Sequence, residues 1–184
     1  MNLMSTNPAG TETPLASAVD VLSYATSRYA LGEVLVARGS KGVCAVLIGD
    51  TETELAADLA TRFPKSTLLA REIAVRDDLA KVVRFMEKPS DGLDLALDMR
   101  GTPFQRRVWE KLRAISVGRT VTYTELAKLV SPPSSPRAVA GACAADPIAL
   151  AIPCHRVIRS DGDLAGYRWG IERKRNLIRQ EVMA

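Results

Sequence analysis

The chain has 184 residues, 47% hydrophobic and 25% charged, enough for one large or two small domains with real cores and an ordinary composition for a water-soluble protein. No run approaches the roughly 18 consecutive apolar residues of a membrane helix. The three widely spaced cysteines, Cys44, Cys143 and Cys154, argue against a disulfide framework, and one histidine without a C-x-x-C pair argues against a zinc site.

The charge is unevenly placed. Residues 1–99 carry 10 Lys/Arg against 14 Asp/Glu, whereas residues 100–184 carry 15 against 7, so the second half is the one suited to a polyanion such as DNA. A mixed surface that merely keeps the chain soluble has the same totals. The first twenty residues are rich in Thr, Ser, Ala, Pro and Asn, without a basic start or an apolar stretch; they read as a disordered lead-in, not a signal peptide. With cysteines of this kind, an intracellular, cytoplasmic setting is expected, associated with the nucleoid if DNA is the partner. Neither a metal nor a cofactor is expected, so any chemistry rests on the protein's own groups.

Strand-like runs follow at Leu22–Ala25, Gly32–Ala37 and Val43–Ile48, punctuated by Gly and Ser-Lys-Gly, which predicts hairpins. Thr51-Glu52-Thr53-Glu54 has the pattern of a capping box, with Leu55, Leu59 and Phe63 behind it at helical spacing and Pro64 as a stop. Leu79, Val82, Val83 and Met86 predict a second helix. Leu93, Leu95, Leu97 and Met99 alternate with Asp94, Ala96 and Asp98, which predicts a half-buried strand. Residues 21–100 therefore read as a small α/β domain ending near Arg100-Gly101.

The remainder, 101–184, reads as mostly helical. Thr102-Pro103-Phe104-Gln105 opens a helix with Thr as N-cap, Pro at N1 and Gln at N3, and Phe104, Val108, Leu112 and Ile115 form its apolar stripe. Thr122-Tyr123-Thr124-Glu125 is another capping box. Ser131-Pro132-Pro133-Ser134-Ser135 breaks the chain, and Pro136 opens the helix Arg137–Ala144. Two short helices joined in this way resemble a helix-turn-helix. The second is nearly all Ala and Gly, with few groups to read base edges. It suits close, sequence-independent contact in a minor groove, with Arg137 as its one long side chain; a buried helix with small residues for close packing fits the same letters.

Pro153-Cys154-His155-Arg156-Val157 joins a proline-fixed turn to a predicted strand. A thiol attacks as thiolate, and a neighbouring histidine can take its proton. Adjacent strand residues point to opposite faces, however, so Cys154 and His155 need a turn or a bridging water to communicate. A buried structural cysteine beside a surface histidine is the competing interpretation. Lys174, Leu177, Ile178 and Glu181 lie at i, i+3, i+4 and i+7, placing Glu181 at the edge of an apolar stripe, where it either needs a partner such as a histidine or is solvated.

The run Ile152-Pro153-Cys154-His155-Arg156-Val157 resembles the active-site signature of the O6-alkylguanine-DNA alkyltransferases. Phe104-Gln105, Val108-Trp109, Val121-Thr122-Tyr123, Arg137-Ala138-Val139 and Leu164-Ala165-Gly166-Tyr167-Arg168-Trp169-Gly170 agree in order, from about Leu22 to Val182. The Gly-Tyr-Arg-Trp-Gly segment and Tyr29-Ala30-Leu31-Gly32 look most like the alkyltransferase half of Ada-type members, whose four-cysteine zinc module and activator-type domain have no counterpart here. The resemblance implies an α/β N-terminal domain with a small ribonuclease-H-like sheet, then a mostly α domain with a winged helix-turn-helix. It implies irreversible, single-turnover transfer of an alkyl group from O6-alkylguanine in duplex DNA to Cys154 by a monomer, with nucleotide flipping and O4-alkylthymine as a further substrate. By the same resemblance His155 acts as base through a water, Glu181 holds His155, and Tyr123 donates a proton toward the departing guanine. Arg137 replaces the extruded base, Ala138, Ala140 and Gly141 lie in the minor groove, Thr124 and Ser160 meet the DNA backbone, and Tyr167 covers the base.

One departure stands out. Relatives carry asparagine eight residues before the acceptor, supporting the turn to the active site, where this chain has Asp146-Pro147. Aspartate accepts but does not donate when ionised, and its charge opposes a nearby thiolate. The competing readings are a non-transferring lesion binder, a winged-helix regulator with a structural cysteine, and a cysteine hydrolase.

Overall fold

The computed structural model describes residues 19–130 and 134–184; the greater part of the predicted lead-in, and Ser131-Pro132-Pro133 of the predicted break, lie outside them. Three strands, β1 (Val21–Tyr29), β2 (Gly32–Gly39) and β3 (Gly42–Gly49), form an antiparallel meander through two-residue turns. Helix α1 (Glu52–Arg62) then crosses to the far edge, where β4 (Thr67–Ala70) pairs parallel to β1, giving the order β3-β2-β1-β4. Thr51 caps α1 by accepting from the Glu54 amide. Helix α2 (Glu72–Glu87) packs on β1 and β2, while α1 packs on β2 and β3.

Consecutive burial of Val34, Leu35, Val36 and Ala37, and of Val43 to Ile48, shows that β2 and β3 are covered on both faces. The outer edge of β3 is covered by two segments from later in the chain. Val43 donates to Ala96 O (2.8 Å) and accepts from Asp98 N (2.8 Å), while Val46 donates to Pro147 O and accepts from Ala149 N (both 2.9 Å). Gly42 makes the first approach feasible: at φ 137°, a Cβ there would stand 2.3 Å from Ala96 O. The second contact anchors the chain between Asp146 and Cys154 to the sheet.

Two expectations need correction. The predicted strand at Leu93–Met99 is extended but forms only the single bridge Val43–Leu97, because it meets β3 at one point and then leaves. The short β4 is not announced by alternation; it exists because β1 offers a free edge. Strand β1 itself runs to Tyr29, past the predicted Ala25, because β2 pairs with it as far as Tyr29–Gly32.

The second half is α3 (Pro103–Arg113), a short β5 (Val121–Thr122), α4 (Tyr123–Leu129), α5 (Pro136–Ala144), a 3-10 turn at Cys154–Arg156, β6 (Val157–Ile158) parallel to β5, and α6 (Ile171–Met183). Of the predicted capping boxes, Thr102/Gln105 and Thr122/Glu125 are closed in both directions, whereas Thr51/Glu54 shows only the bond from the Glu54 amide to the Thr51 side chain. Helix α5 packs against α3 and α4, and the indole of the buried Trp109 donates to Ala142 O (2.9 Å) to fix the first contact. Buried residues of the two halves form one contiguous cluster. No helix among the described residues is long and apolar enough to cross a membrane.

Candidate active site

Cys154 stands at the start of the 3-10 turn, its amide bonded to Ile152 O (2.8 Å), after a tight segment in which Leu150 takes φ 68°. A non-glycine residue in that region costs roughly 1 kcal/mol or more, so the segment is held by its surroundings, namely the β3 edge and the buried side chains of Ile148 and Ile152. The turn also answers how adjacent residues divide their work. Cys154 lines a cleft of about 540 Å³ with Tyr123, Ala140, Cys143, Ala144, Ala165, Gly166, Tyr167 and Arg168, while His155 has no exposure at all.

Behind the cysteine, Glu181 from α6 accepts four hydrogen bonds. His155 Nε2 donates to Oε1 (2.8 Å), Arg156 donates from Nε to Oε2 (2.8 Å) and from Nη2 to Oε1 (2.9 Å), and the Gly118 amide donates to Oε2 (3.3 Å). Burial alone would raise this carboxyl, but the bonds from His155 and Arg156 outweigh it and pull it down to about 2. An ionised Glu181 accepts only, so the histidine proton sits on Nε2 and the lone pair on Nδ1. Nδ1 is buried and has no hydrogen-bond partner among the described residues. Burial disfavours the imidazolium, lowering the His155 pKa, with Glu181 opposing that trend. The result is a neutral imidazole, oriented by a carboxylate, with its basic nitrogen unengaged.

Three contributors here were not evident in the sequence. Arg156 was read only as part of a motif, yet it neutralises Glu181 and also donates to Ile115 O. Gly118 adopts φ 72° with room for little more than hydrogen: a Cβ would lie 3.0 Å from Glu181 O. Lys174, seen as one residue of a stripe, is fully buried, and its ammonium donates to Val157 O (2.6 Å) and Leu164 O, tying β6 to the loop that carries Tyr167. Its place on the same helix face as Glu181 is the one signal that was available. Burial lowers its pKa, and its positive charge in turn favours thiolates at Cys154 and Cys143.

On the cleft side the electrostatics run the other way. Burial first, and then the charge of Asp146, push the Cys154 thiol well above its ordinary range. Burial raises Tyr123 to about 12, so it stays protonated and available as a donor. Asp146 is fully buried; its Oδ1 accepts from the Ile148 amide (2.8 Å), while Oδ2 has no partner among the described residues. Tyr167, packed edge-on against Trp169 at 5.2 Å, has a buried hydroxyl that is likewise unpartnered.

The remaining predicted residues sort by position. Arg137, Ala138 and Gly141 are exposed along α5, with Val139, Ala142 and Cys143 buried on the opposite side and Ala140 at the cleft. The small residues therefore pack closely on one face of the helix and leave a smooth outer face on the other. Thr124 and Ser160, both exposed, meet at 3.3 Å through their hydroxyls. The cleft loop is moored to the sheet half by Arg168–Asp58 (2.8 Å) and by Arg173, which bonds Asp50 (2.5 Å), Leu31 O (3.1 Å) and Trp169 O (2.9 Å).

Residues 103–183 match the family model described as 6-O-methylguanine DNA methyltransferase, DNA binding domain. The chain is 43% identical over 159 residues to the bifunctional transcriptional activator/DNA repair enzyme Ada of Escherichia coli, an alignment covering 86% of this chain and 45% of that protein. The chain thus spans less than half the length of that relative. It is 37% identical over 148 residues to the methylated-DNA–protein-cysteine methyltransferase of Candida albicans, covering 76% of this chain and 83% of the relative. Among solved structures, the O6-methylguanine methyltransferase of Mycobacterium tuberculosis superposes with a TM-score of 0.67 at 31% identity, covering 88% of this chain and 93% of the other. The OGT protein of the same organism in complex with DNA gives 0.67 at 30% identity, with the same coverage. With its cysteine, histidine and carboxylate arranged as above, this chain belongs to the methylated-DNA–protein-cysteine methyltransferase family.

Proposed function

We propose that this protein repairs alkylated DNA by transferring the alkyl group of O6-alkylguanine to Cys154, once per molecule. The observation that carries this reading is the position of Cys154 on the wall of a cleft, backed by a buried His155 whose free Nδ1 is set by Glu181. The Cys154 proton passes through a bridging water to His155 Nδ1, and the forming imidazolium is stabilised by the Glu181 carboxylate. Sγ then bonds the alkyl carbon as its bond to O6 breaks, the electron pair staying with guanine. Tyr123, which holds its proton firmly, donates toward the departing base. In net terms the thiol hydrogen and the alkyl group exchange places. A thioether offers no ready leaving group, which makes the protein a stoichiometric reagent.

The lesion reaches the cleft by rotation of the nucleotide out of the duplex. Arg137 fills the gap, the face carrying Ala138, Ala140 and Gly141 lies in the minor groove, Thr124 and Ser160 meet the backbone, and Tyr167 closes over the base. The relative solved with DNA supports this partner, and the protein acts as a cytoplasmic monomer on nucleoid DNA. On this reading α4 and α5 are the helices of a winged helix-turn-helix, and 21–100 is a ribonuclease-H-like domain whose sheet edge braces the active-site segment. O4-alkylthymine fits the same chemistry.

The test is incubation with duplex DNA carrying O6-methylguanine, then intact-mass and peptide analysis. One methyl on the peptide containing Cys154, and none in Cys154→Ser, is the expected result. Unmodified protein bound to the lesion would overturn transfer in favour of lesion binding.

A further inference from the structure

Asp146 lies against the acceptor thiol but is not arranged to stay charged. It has no solvent exposure, a single partner (the Ile148 amide on Oδ1), and an Oδ2 that is buried and unpartnered among the described residues. The Cys154 thiol is its close neighbour on the cleft side. An ionised carboxylate here would be an acceptor-only group, desolvated and facing a sulfur that must become an anion, which makes two like charges in one dry site. A protonated carboxyl removes both difficulties: Oδ2–H is a donor, and the thiolate is the acceptor it lacks.

We propose that Asp146 carries a proton in the working protein and that its Oδ2–H donates a hydrogen bond to the Cys154 thiolate, steadying the alkyl acceptor; this deepens, and rests on, the alkyl-transfer reading. The charged and titratable groups around it agree. Burial raises the Asp146 carboxyl to about 7, against the Ile148 amide, Arg62 and Cys154, which pull it down. Among the described residues the cation acting on Asp146 is Arg62 on α1; its Nε is engaged by Asp58 (3.1 Å), its buried Nη2 has no hydrogen-bond partner, and no ion pair joins it to Asp146. From α5, Cys143 is a thiol raised to about 12 and therefore uncharged. From the cleft loop, the Tyr167 hydroxyl is held protonated, with Cys154 and Asp146 among the causes after burial. From α6, Lys174 supplies positive charge toward the two thiols. His155, behind the cysteine, is neutral and passes the thiol proton on to solvent, so the thiolate forms with net loss of one proton while Asp146 keeps its own.

The consequence is a particular pH profile. Cys154 and Asp146 compete for one proton, so the reactive pair, thiolate with protonated Asp146, stops growing once Asp146 itself begins to ionise. Asparagine donates at every pH and has no such ceiling. The experiment measures, by peptide-resolved mass spectrometry, the rate at which iodoacetamide alkylates Cys154 in the wild type, Asp146→Asn and Asp146→Ala, from about pH 6 to about pH 8.5. In parallel, single-turnover methyl transfer from O6-methylguanine duplex is followed over the same range. The wild-type rate should level off above about pH 7, while Asp146→Asn keeps climbing, so that the two are equal within about twofold at the acid end and differ by about tenfold or more at the alkaline end. Asp146→Ala, which removes charge and donor together, should be slower than both at the acid end. A ratio of Asp146→Asn to wild type that stays constant with pH, or a wild-type rate that climbs without levelling, overturns the proposal; the second outcome needs no variant to fold. If the iodoacetamide profile holds but neither protein takes methyl from DNA, the transfer reading fails and the Asp146 assignment stands. If methyl transfer proceeds with a flat ratio, only the Asp146 assignment fails.

Discussion

On one side of Cys154 stands a carboxylate with four donors, and on the other a carboxylate with one. Glu181 is bonded by His155, twice by Arg156 and by Gly118, and is drawn down to about 2; among the described residues Asp146 is bonded by the Ile148 amide, and it is raised to about 7. Both are buried, so burial does not separate them. Donor count and net local charge do. The inner flank is an ion cluster that satisfies Glu181 and fixes a histidine with only its Nδ1 left open, while the outer flank keeps unsatisfied polar atoms at Asp146 and Tyr167 among the described residues, beside the cleft where chemistry is expected. The difference teaches that the carboxylate serving orientation is fully engaged, whereas groups that must meet a proton, a substrate or an ionising sulfur, His155 Nδ1 among them, are left with capacity to spare.

Breaking the inner flank should have the largest effect. Glu181→Ala leaves Arg156 as a buried cation without its partner and His155 without an orienter, so a loss of about 3–5 kcal/mol in stability is expected by denaturant titration, together with loss of transfer. Replacing Lys174 by Met keeps bulk but removes the buried ammonium and its bonds to Val157 O and Leu164 O. It should cost about 1–3 kcal/mol and slow Cys154 alkylation by roughly tenfold, both measurable on the purified protein.

The two flanks should also respond to pH with opposite signs. The Glu181 pKa is depressed from 4.5 to about 2 in the folded protein, so its contribution is present above 4.5 and is lost as pH falls through about 2. The Asp146 pKa is raised from 3.8 to about 7, so its contribution is full below 3.8 and declines as pH rises through about 7. Asp146→Asn should therefore raise Tm relative to wild type at mildly alkaline pH by a few degrees and much less near pH 4, as followed by thermal melts; a shift independent of pH would erase the contrast. The smallest effect is expected for Arg168→Ala. Its ion pair with Asp58 is partly exposed, at 43% and 26% of the side chains, so stability should change by at most about 1 kcal/mol, with any change in cleft-loop mobility appearing in hydrogen exchange.

Much of the fold was legible because it rests on local rules. The meander is marked by β-branched runs and glycine turns, and α3 and α4 by capping boxes that the structure closes in both directions. The segment Thr67–Ala70 was not legible, since four residues without alternation become a strand only when β1 supplies a partner edge. Leu93–Met99 erred the other way: alternation was present, but only Leu97 found a bridge. At the candidate site, Cys154 and His155 stood out by residue type and Glu181 by its helical spacing, whereas Tyr123 and Asp146 came into view only through the family resemblance. The roles of Arg156 and Gly118 did not show, because they depend on Glu181 arriving from 25 and 63 residues away.

The sequence by itself determined which groups are available: one histidine, a cysteine after a proline, a helix of small residues headed by an arginine, and an aspartate eight residues before that cysteine. These are properties of residue type and local spacing, which the chain carries whatever its fold. Only the tertiary structure decided which groups are charged. Glu181 and Asp146 are both carboxylates near Cys154, yet one meets a guanidinium and an imidazole from the 3-10 turn, while the other meets a single amide beside a thiol. Proton affinity follows from desolvation and from neighbours brought together across the fold, and those neighbours are chosen by packing rather than by order in the chain.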